Sequence, residues 1–231
     1  MNLGISKLKE GLLSLFLQPN CPLCDRPAQL EFCQNCQRQL QRCQLKQPDQ
    51  LWTGQLPIFA WGIYGGILKR AIASLKYENQ PQLAYPLGQW LGDAWLKSPS
   101  ASSVKKLTAV PIPVHPSKLK TRGYNQAELI ARSVCQFTDY KHQPFALERV
   151  RATEAQFSLS GKEREQNLAD AFVVSKKFKQ NPPNSPVLLI DDIYTTGATV
   201  RSAAQALLKQ GIDVYGVVAI ASSQKSRGSR E

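Results

Sequence analysis

One stretch of this chain, VLLIDDIYTTGATV from Val187 to Val200, constrains the fold more than any other. Val187, Leu188, Leu189 and Ile190 form a continuous apolar run, the pattern of a strand buried on both faces. Asp191 and Asp192 follow directly, then Thr195, Thr196, Gly197, Ala198 and Thr199, then the helical VRSAAQALLKQ closed by Gly211. Open parallel sheets bind ligands at the carboxyl ends of their strands, and these two aspartates stand at such an end. The loop after them offers backbone N–H groups, threonine hydroxyls and a helix N-terminus, which together make a cradle for an anion. Gly197 allows close backbone approach or a positive φ. Carboxylates beside an anion cradle suit a ligand that carries both vicinal hydroxyls and a phosphate, as a sugar phosphate does. A divalent ion also fits beside the acids, with Mg2+ keeping most of its waters.

Other readings of the motif fare worse on spacing. SGKER lacks the first glycine and the hydroxyl of a Walker A loop, and no G-x-G-x-x-G is present. A metal-dependent phosphatase would use the paired aspartates but leave TTGAT without a role. The plain alternative is a surface turn capped by a threonine.

The rest of the chain has the pattern of an α/β protein with a parallel sheet. IFAWGIYGGILKRAIASLKYENQ alternates and is aromatic at its start, as strands are, then turns helical from Ile67. Residues 81–97 have helical character, and SPSASS (98–103) has the composition of a flexible loop. LTAVPIPV (107–114) is a strand whose Pro111 and Pro113 remove ladder donors, so pairing should fail there and a loop should open. That loop, HPSKLKTRGYNQ, carries Lys118, Lys120 and Arg122 and no acid. Ala127, Ile130, Ala131 and Val134 then share one helix face, with Cys135 as a small core residue. The polar stretch 149–172 has the look of a partly ordered segment; VYGVVAIA is a last strand and SSQKSRGSRE a frayed tail.

Five of the six cysteines lie between positions 21 and 43. Cys21 and Cys24, then Cys33 and Cys36, form two CxxC knuckles that can turn four thiolates toward one structural Zn2+. Disulfides are the alternative, and a reducing compartment disfavours them. Cys43 could replace one ligand or stand as a free thiol. So small a unit needs the metal for stability, and a closed four-cysteine site leaves no position for catalysis. A boundary near 45–57 divides the chain into 1–50 (N-terminal helix and zinc knuckle or ribbon), 58–224 (the α/β domain) and 225–231 (flexible tail).

Leu8, Leu12, Leu15 and Phe16 are spaced for one helical face, but nothing approaches the roughly 18 apolar residues of a membrane span. No secretory h-region is readable, so the expected location is cytoplasmic. The formal charge of +12 points to a polyanionic partner: nucleic acid, a phosphorylated small molecule or an anionic surface.

VLLIDDIYTTGATV resembles the phosphoribosyl pyrophosphate (PRPP) motif of type I phosphoribosyltransferases. The two knuckles, LKYENQ, PIPVHPSKLKTRGYNQAELIA and QFSLSGKEREQNLADAF precede it in this order, and with them nearly the whole chain resembles the ComF (ComFC) family of competence-associated proteins. The resemblance implies a parallel-sheet, type I phosphoribosyltransferase-like domain carrying a small N-terminal four-cysteine zinc module. It implies that Asp191 and Asp192 contact the ribose hydroxyls of PRPP bound with Mg2+, and that Thr195, Thr196, Gly197, Ala198 and Thr199 hold its 5-phosphate. The basic loop with Lys118, Lys120, Arg122 and Gly123 would face the pyrophosphate. Gln156, Arg164 and Asn167 would belong to a mobile loop that closes over the site. His115 has the place of a loop or core histidine, and Lys76, in the LKY string, acquires no role from sequence.

The function so implied is support of natural transformation: a PRPP-binding protein that handles incoming single-stranded DNA, with a competence helicase and a recombination mediator as partners. Trp52, Phe59, Trp61 and Tyr64 could stack on bases, although a core position suits them better. The alternative is an active phosphoribosyltransferase that transfers phosphoribosyl to a base or amine and releases pyrophosphate. A glutamine-dependent amidophosphoribosyltransferase is not expected, because Asn2 follows Met1 where a cysteine nucleophile would stand and no glutaminase domain is readable. A third reading is a decayed site on a zinc-stabilised binding module.

Overall fold

The computed structural model describes residues 19–151 and 171–224. Strands β1 (Ile58–Ile63), β2 (Thr108–Pro111), β3 (Lys141–His142), β6 (Val187–Tyr194) and β7 (Val214–Ser222) form one sheet. Their order is β1-β7-β6-β2-β3 and every pairing is parallel. The expected α/β architecture with a parallel sheet is present. Strands β4 (Leu147–Arg149) and β5 (Phe172–Val174) make a separate antiparallel pair.

Alternate residues of β6 point to opposite faces, and both faces are covered. Leu188 and Ile190 join a core with helices α2 (Gly66–Tyr77), α3 (Ala84–Leu96) and α6 (Gln126–Thr138). Val187 and Leu189 join a second core with α8 (Ala198–Leu208) and the β4–β5 pair. All four are fully buried, and each such side chain contributes about 1.5–3 kcal/mol relative to exposure. Phe59 and Trp61 are core residues of the first layer, and Trp52 packs on Trp95 and Tyr215, with ring centroids 5.0 and 5.3 Å away. That removes Phe59 and Trp61 from any stacking surface.

The segment after the knuckles runs antiparallel along β1. Leu45 N–H donates to Trp61 O (2.8 Å), Ala60 N–H to Pro48 O (2.9 Å) and Ile58 N–H to Leu51 O (3.0 Å). The linker therefore caps an edge strand that would otherwise offer free donors and acceptors. Gly62 permits the approach, since a Cβ there would stand 2.9 Å from Cys43 O.

Cys21, Cys24, Cys33 and Cys36 converge as their spacing predicts, with all four Sγ atoms within 4.8 Å of one another. A tetrahedral zinc with Zn–S of about 2.3 Å sets its sulfurs about 3.8 Å apart, so this cluster could hold a structural metal such as zinc. In the first knuckle, the N–H groups of Cys24 and Asp25 both donate to Cys21 O. In the second, Cys33 stands at the N-cap of α1 (Gln34–Gln41). Cys43 Sγ is outside the cluster and donates to Gln39 O. Leu23, Ala28, Phe32 and Leu40 are buried in the same core as Trp61, and Phe32 stacks on Trp90 at 6.0 Å.

Two local expectations change. SPSASS is not a loop throughout: Pro99–Ser102 form the short helix α4, because the Ser98 side chain accepts from Ala101 N–H and Pro99 suits the first helical position. HPSKLKTRGYNQ is chiefly the helix α5 (Pro116–Arg122), again started by proline and ended by Gly123 at φ 84°. The stretch 149–172 is bracketed by β4 and β5 pairing, and its residues Gln156, Arg164 and Asn167 lie outside the described residues. Among the described residues, no helix is long and apolar enough to cross a membrane.

Because knuckle side chains share a core with Trp61 and Trp90, stripping metal from zinc-loaded protein with a chelator is expected to shift tryptophan emission to the red. The Tm should fall by roughly 5–10 °C. Unchanged emission and Tm in scanning fluorimetry would show that the cluster carries no such metal.

Candidate functional site

The chain leaves β2 toward β3 on one side and leaves β6 toward β7 on the other. The carboxyl ends of these two neighbouring strands therefore diverge, making the topological switch point at which α/β sheets open a crevice. Pro111 ends β2, and the last bond between the two strands runs from Ile112 N–H to Ile190 O (2.9 Å). Beyond it a cavity of about 280 Å3 opens, with Asp191, Asp192, Thr195 and Thr199 on one side and Lys118 and Arg122 on the other.

Both aspartates are buried. Asp192 Oδ2 pairs with Lys76 Nζ at 2.8 Å, and both side chains are largely out of solvent, 4% and 16% exposed. Lys76 sits in the last turn of α2. Burial works most strongly against its charge, but Asp192, with Asp191 and Tyr77 nearby, leaves its pKa raised. Asp191 Oδ1 accepts from Asp192 N–H (2.8 Å). Burial, then repulsion by Asp192, pushes the Asp191 carboxyl from 3.8 to about 8, with Lys76 acting in the opposite sense. On β4, Arg149 also lines the cavity and lies in the field of Asp191; burial lowers its pKa.

Side-chain bonds lock the surrounding backbone. Asn125 caps α6 by accepting from Ala127 N–H (3.2 Å), and its Nδ2 donates to Ile112 O (3.1 Å). Tyr124 Oη donates to Leu75 O (2.6 Å), so the segment after α5 is tied to the turn that presents Lys76. Within α5, Lys118 and Arg122 stand four apart and share a face; both reach the cavity. Arg122 donates to Gln126 Oε1 and lies 5.5 Å from the Tyr77 ring centroid. Lys120 and Gly123 border an adjoining groove instead. His115 is a capping residue, with Nδ1 accepting from Ser117 N–H.

On the opposite wall, Gly197 caps α8 at φ 79°, and an added Cβ would meet Arg201 Nη1 and Tyr194 Oη at 2.7 Å. Thr196 O accepts from Arg201 Nη1 (2.9 Å) and its Oγ1 faces Ala198 N–H (3.5 Å), which shapes the loop before the helix. Thr195 and Thr199 line the cavity itself. Sequence reasoning leaves Lys76 without a partner, offers Tyr64 only as a base-stacking residue and does not find Arg149 or Tyr77; all four line the cavity. The LKY string holds a signal for Lys76 and Tyr77; Arg149 has none, because only the β4–β5 pairing brings it here.

No family model matches the chain. Competence protein F of Haemophilus influenzae is 29% identical over 198 residues, 84% of this chain and 81% of that protein. Competence protein ComFC of Bacillus subtilis is 26% identical over 196 residues, 83% of this chain and 72% of that protein. The DNA utilization protein YhgH of Escherichia coli K12 is 27% identical over 192 residues, 83% of this chain and 78% of that protein. Over about 83% of its length the chain is similar to proteins of the ComF family. Its two adjacent acids and two cations of its basic helix line one crevice.

Two outcomes test this geometry. Lys76→Met leaves Asp192 buried without its counterion and is expected to cost about 3 kcal/mol in urea unfolding, most of it recovered in the double variant with Asp192→Asn. Any stability lent by protonated Asp191 is complete below its unfolded value of 3.8 and lost as pH rises through about 8. Asp191→Asn should therefore be more stable than the ligand-free parent by on the order of 1–3 kcal/mol at alkaline pH, with the gap closing toward pH 5. A gap independent of pH would contradict the buried, strained carboxyl.

Proposed function

We propose that this chain is a ComF-type protein that binds PRPP with Mg2+ and serves the handling of incoming single-stranded DNA in natural transformation. One observation carries the PRPP part: two buried carboxylates, Thr195 and Thr199 at the start of a helix and two cations of α5 line a single cavity at the switch point. In this reading Asp191 and Asp192 accept hydrogen bonds from the ribose hydroxyls, with Lys76 yielding or sharing Asp192. Thr195 to Thr199 hold the 5-phosphate, and Lys118 and Arg122 meet the pyrophosphate, whose charge Mg2+ also offsets.

The DNA part is supported by the names of the relatives, two competence proteins and a DNA utilization protein, and by the formal charge of +12. Residues 1–50 then serve as a zinc-stabilised unit and 58–224 as the ligand-binding domain. The protein works in the cytoplasm with a helicase and a recombination mediator.

Calorimetric titration of PRPP with Mg2+ into zinc-loaded protein is the test. Saturable binding is expected, weakened at least about tenfold by Asp191→Ala and by Asp192→Ala, which corresponds to a lost charge-assisted hydrogen bond of about 1.4 kcal/mol or more. Folded protein that binds no PRPP, or variants that bind it unchanged, would overturn the reading. Pyrophosphate release that depends on an added base or amine would favour transfer over binding alone.

A further inference from the structure

Beside the switch-point cavity lies a larger groove of about 590 Å3 between the end of α2 and the outer face of α5. Lys118, Lys120 and Arg122 line it, with Lys76, Tyr77 and Asn79 on the other bank, and no acid is among its lining residues. Tyr77 is 77% exposed although large and aromatic, and the Arg122 guanidinium lies 5.5 Å from its ring centroid. An open tyrosine on the bank of a basic, acid-free channel is a poor core feature. It is the combination that binds single strands without sequence preference: cations follow the phosphates while a ring face stacks on a base.

We infer that this groove holds a nucleotide segment of single-stranded DNA, stacked on Tyr77 with its phosphates along Lys118, Lys120 and Arg122. The inference rests on the DNA-handling reading above and gives it a surface. It adds a consequence. Lys76, Tyr77, Lys118 and Arg122 line both the groove and the switch-point cavity, so the same cations cannot serve a DNA phosphate and a pyrophosphate at full strength. Sugar phosphate and DNA therefore displace each other, and the filled cavity is the DNA-releasing state. Lys120 reaches the groove alone, which separates the two ligands experimentally.

Fluorescence anisotropy with a labelled oligo-dT, on the full zinc-loaded chain, tests this. Tyr77→Ala should raise the Kd for dT at least about fivefold and Tyr77→Phe less than about twofold, because stacking needs the ring and not the hydroxyl. Lys120→Ala should lower the slope of log K against log salt by about 0.7, one single-strand phosphate contact. Lys177→Ala, an exposed lysine on another face, should change the Kd less than about twofold. PRPP with Mg2+ should displace dT at concentrations that fill its own site by calorimetry. No dT binding, or Tyr77→Ala and Lys120→Ala behaving like Lys177→Ala, would overturn the groove. Bound PRPP that leaves dT affinity unchanged or raises it would overturn the exclusion. A protein that binds dT through Tyr77 and Lys120 but binds no PRPP would sink the sugar-phosphate reading and the exclusion, and leave the groove standing.

Discussion

Burying two adjacent carboxylates at the end of the central strand is costly, and much of the surrounding structure answers that cost. Taken alone, each charge would lose its hydration to the cores on either side of β6. Asp192 is compensated by Lys76 at 2.8 Å. Asp191 has a backbone N–H and more distant cations, and its carboxyl is accordingly held far above the ordinary range. A buried acid perturbed in this way marks a candidate functional site.

Everything that locates Lys76 consequently locates the site. Helix α2 packs on the sheet through Leu68, Ala71, Ile72 and Leu75, which are fully buried. Tyr124 then ties Leu75 O to the segment following α5, and Asn125 ties that segment to the end of β2. The acids, the lysine and the basic helix are thus fixed by one short chain of bonds. The same α2–α5 junction forms both the inner cavity and the outer groove, which is why small-anion and polyanion binding would be coupled in this fold.

Part of this is legible in the chain itself. The run from Val187 to Ile190, the acids and the glycine at the helix start specify strand, carboxyl end and cradle in order, because each is a local pattern. The knuckle cysteines likewise converge as spaced, since a tight turn and a helix start are local events. The basic segment 116–122 reads as a loop although its start and stop residues are present: none of its residues is buried, so it shows no apolar period to count. The β4–β5 pair escapes because its strands are three residues each and stand on either side of a long polar stretch.

By itself, then, the sequence determined the nature of the elements: a doubly covered parallel strand ending in acids, a threonine–glycine turn before a helix, a four-cysteine cluster and a strongly basic segment. These depend on residues a few positions apart, where period, capping and turn chemistry act. Only the tertiary structure decided which charges meet. Lys76 and Asp192 come from distant parts of the chain, Arg149 reaches the same cavity only through β4, and the linker that covers β1 could not be assigned to its edge by composition. Such contacts follow from strand order and helix packing, which bring distant residues together at the switch point and give the acids their counterions.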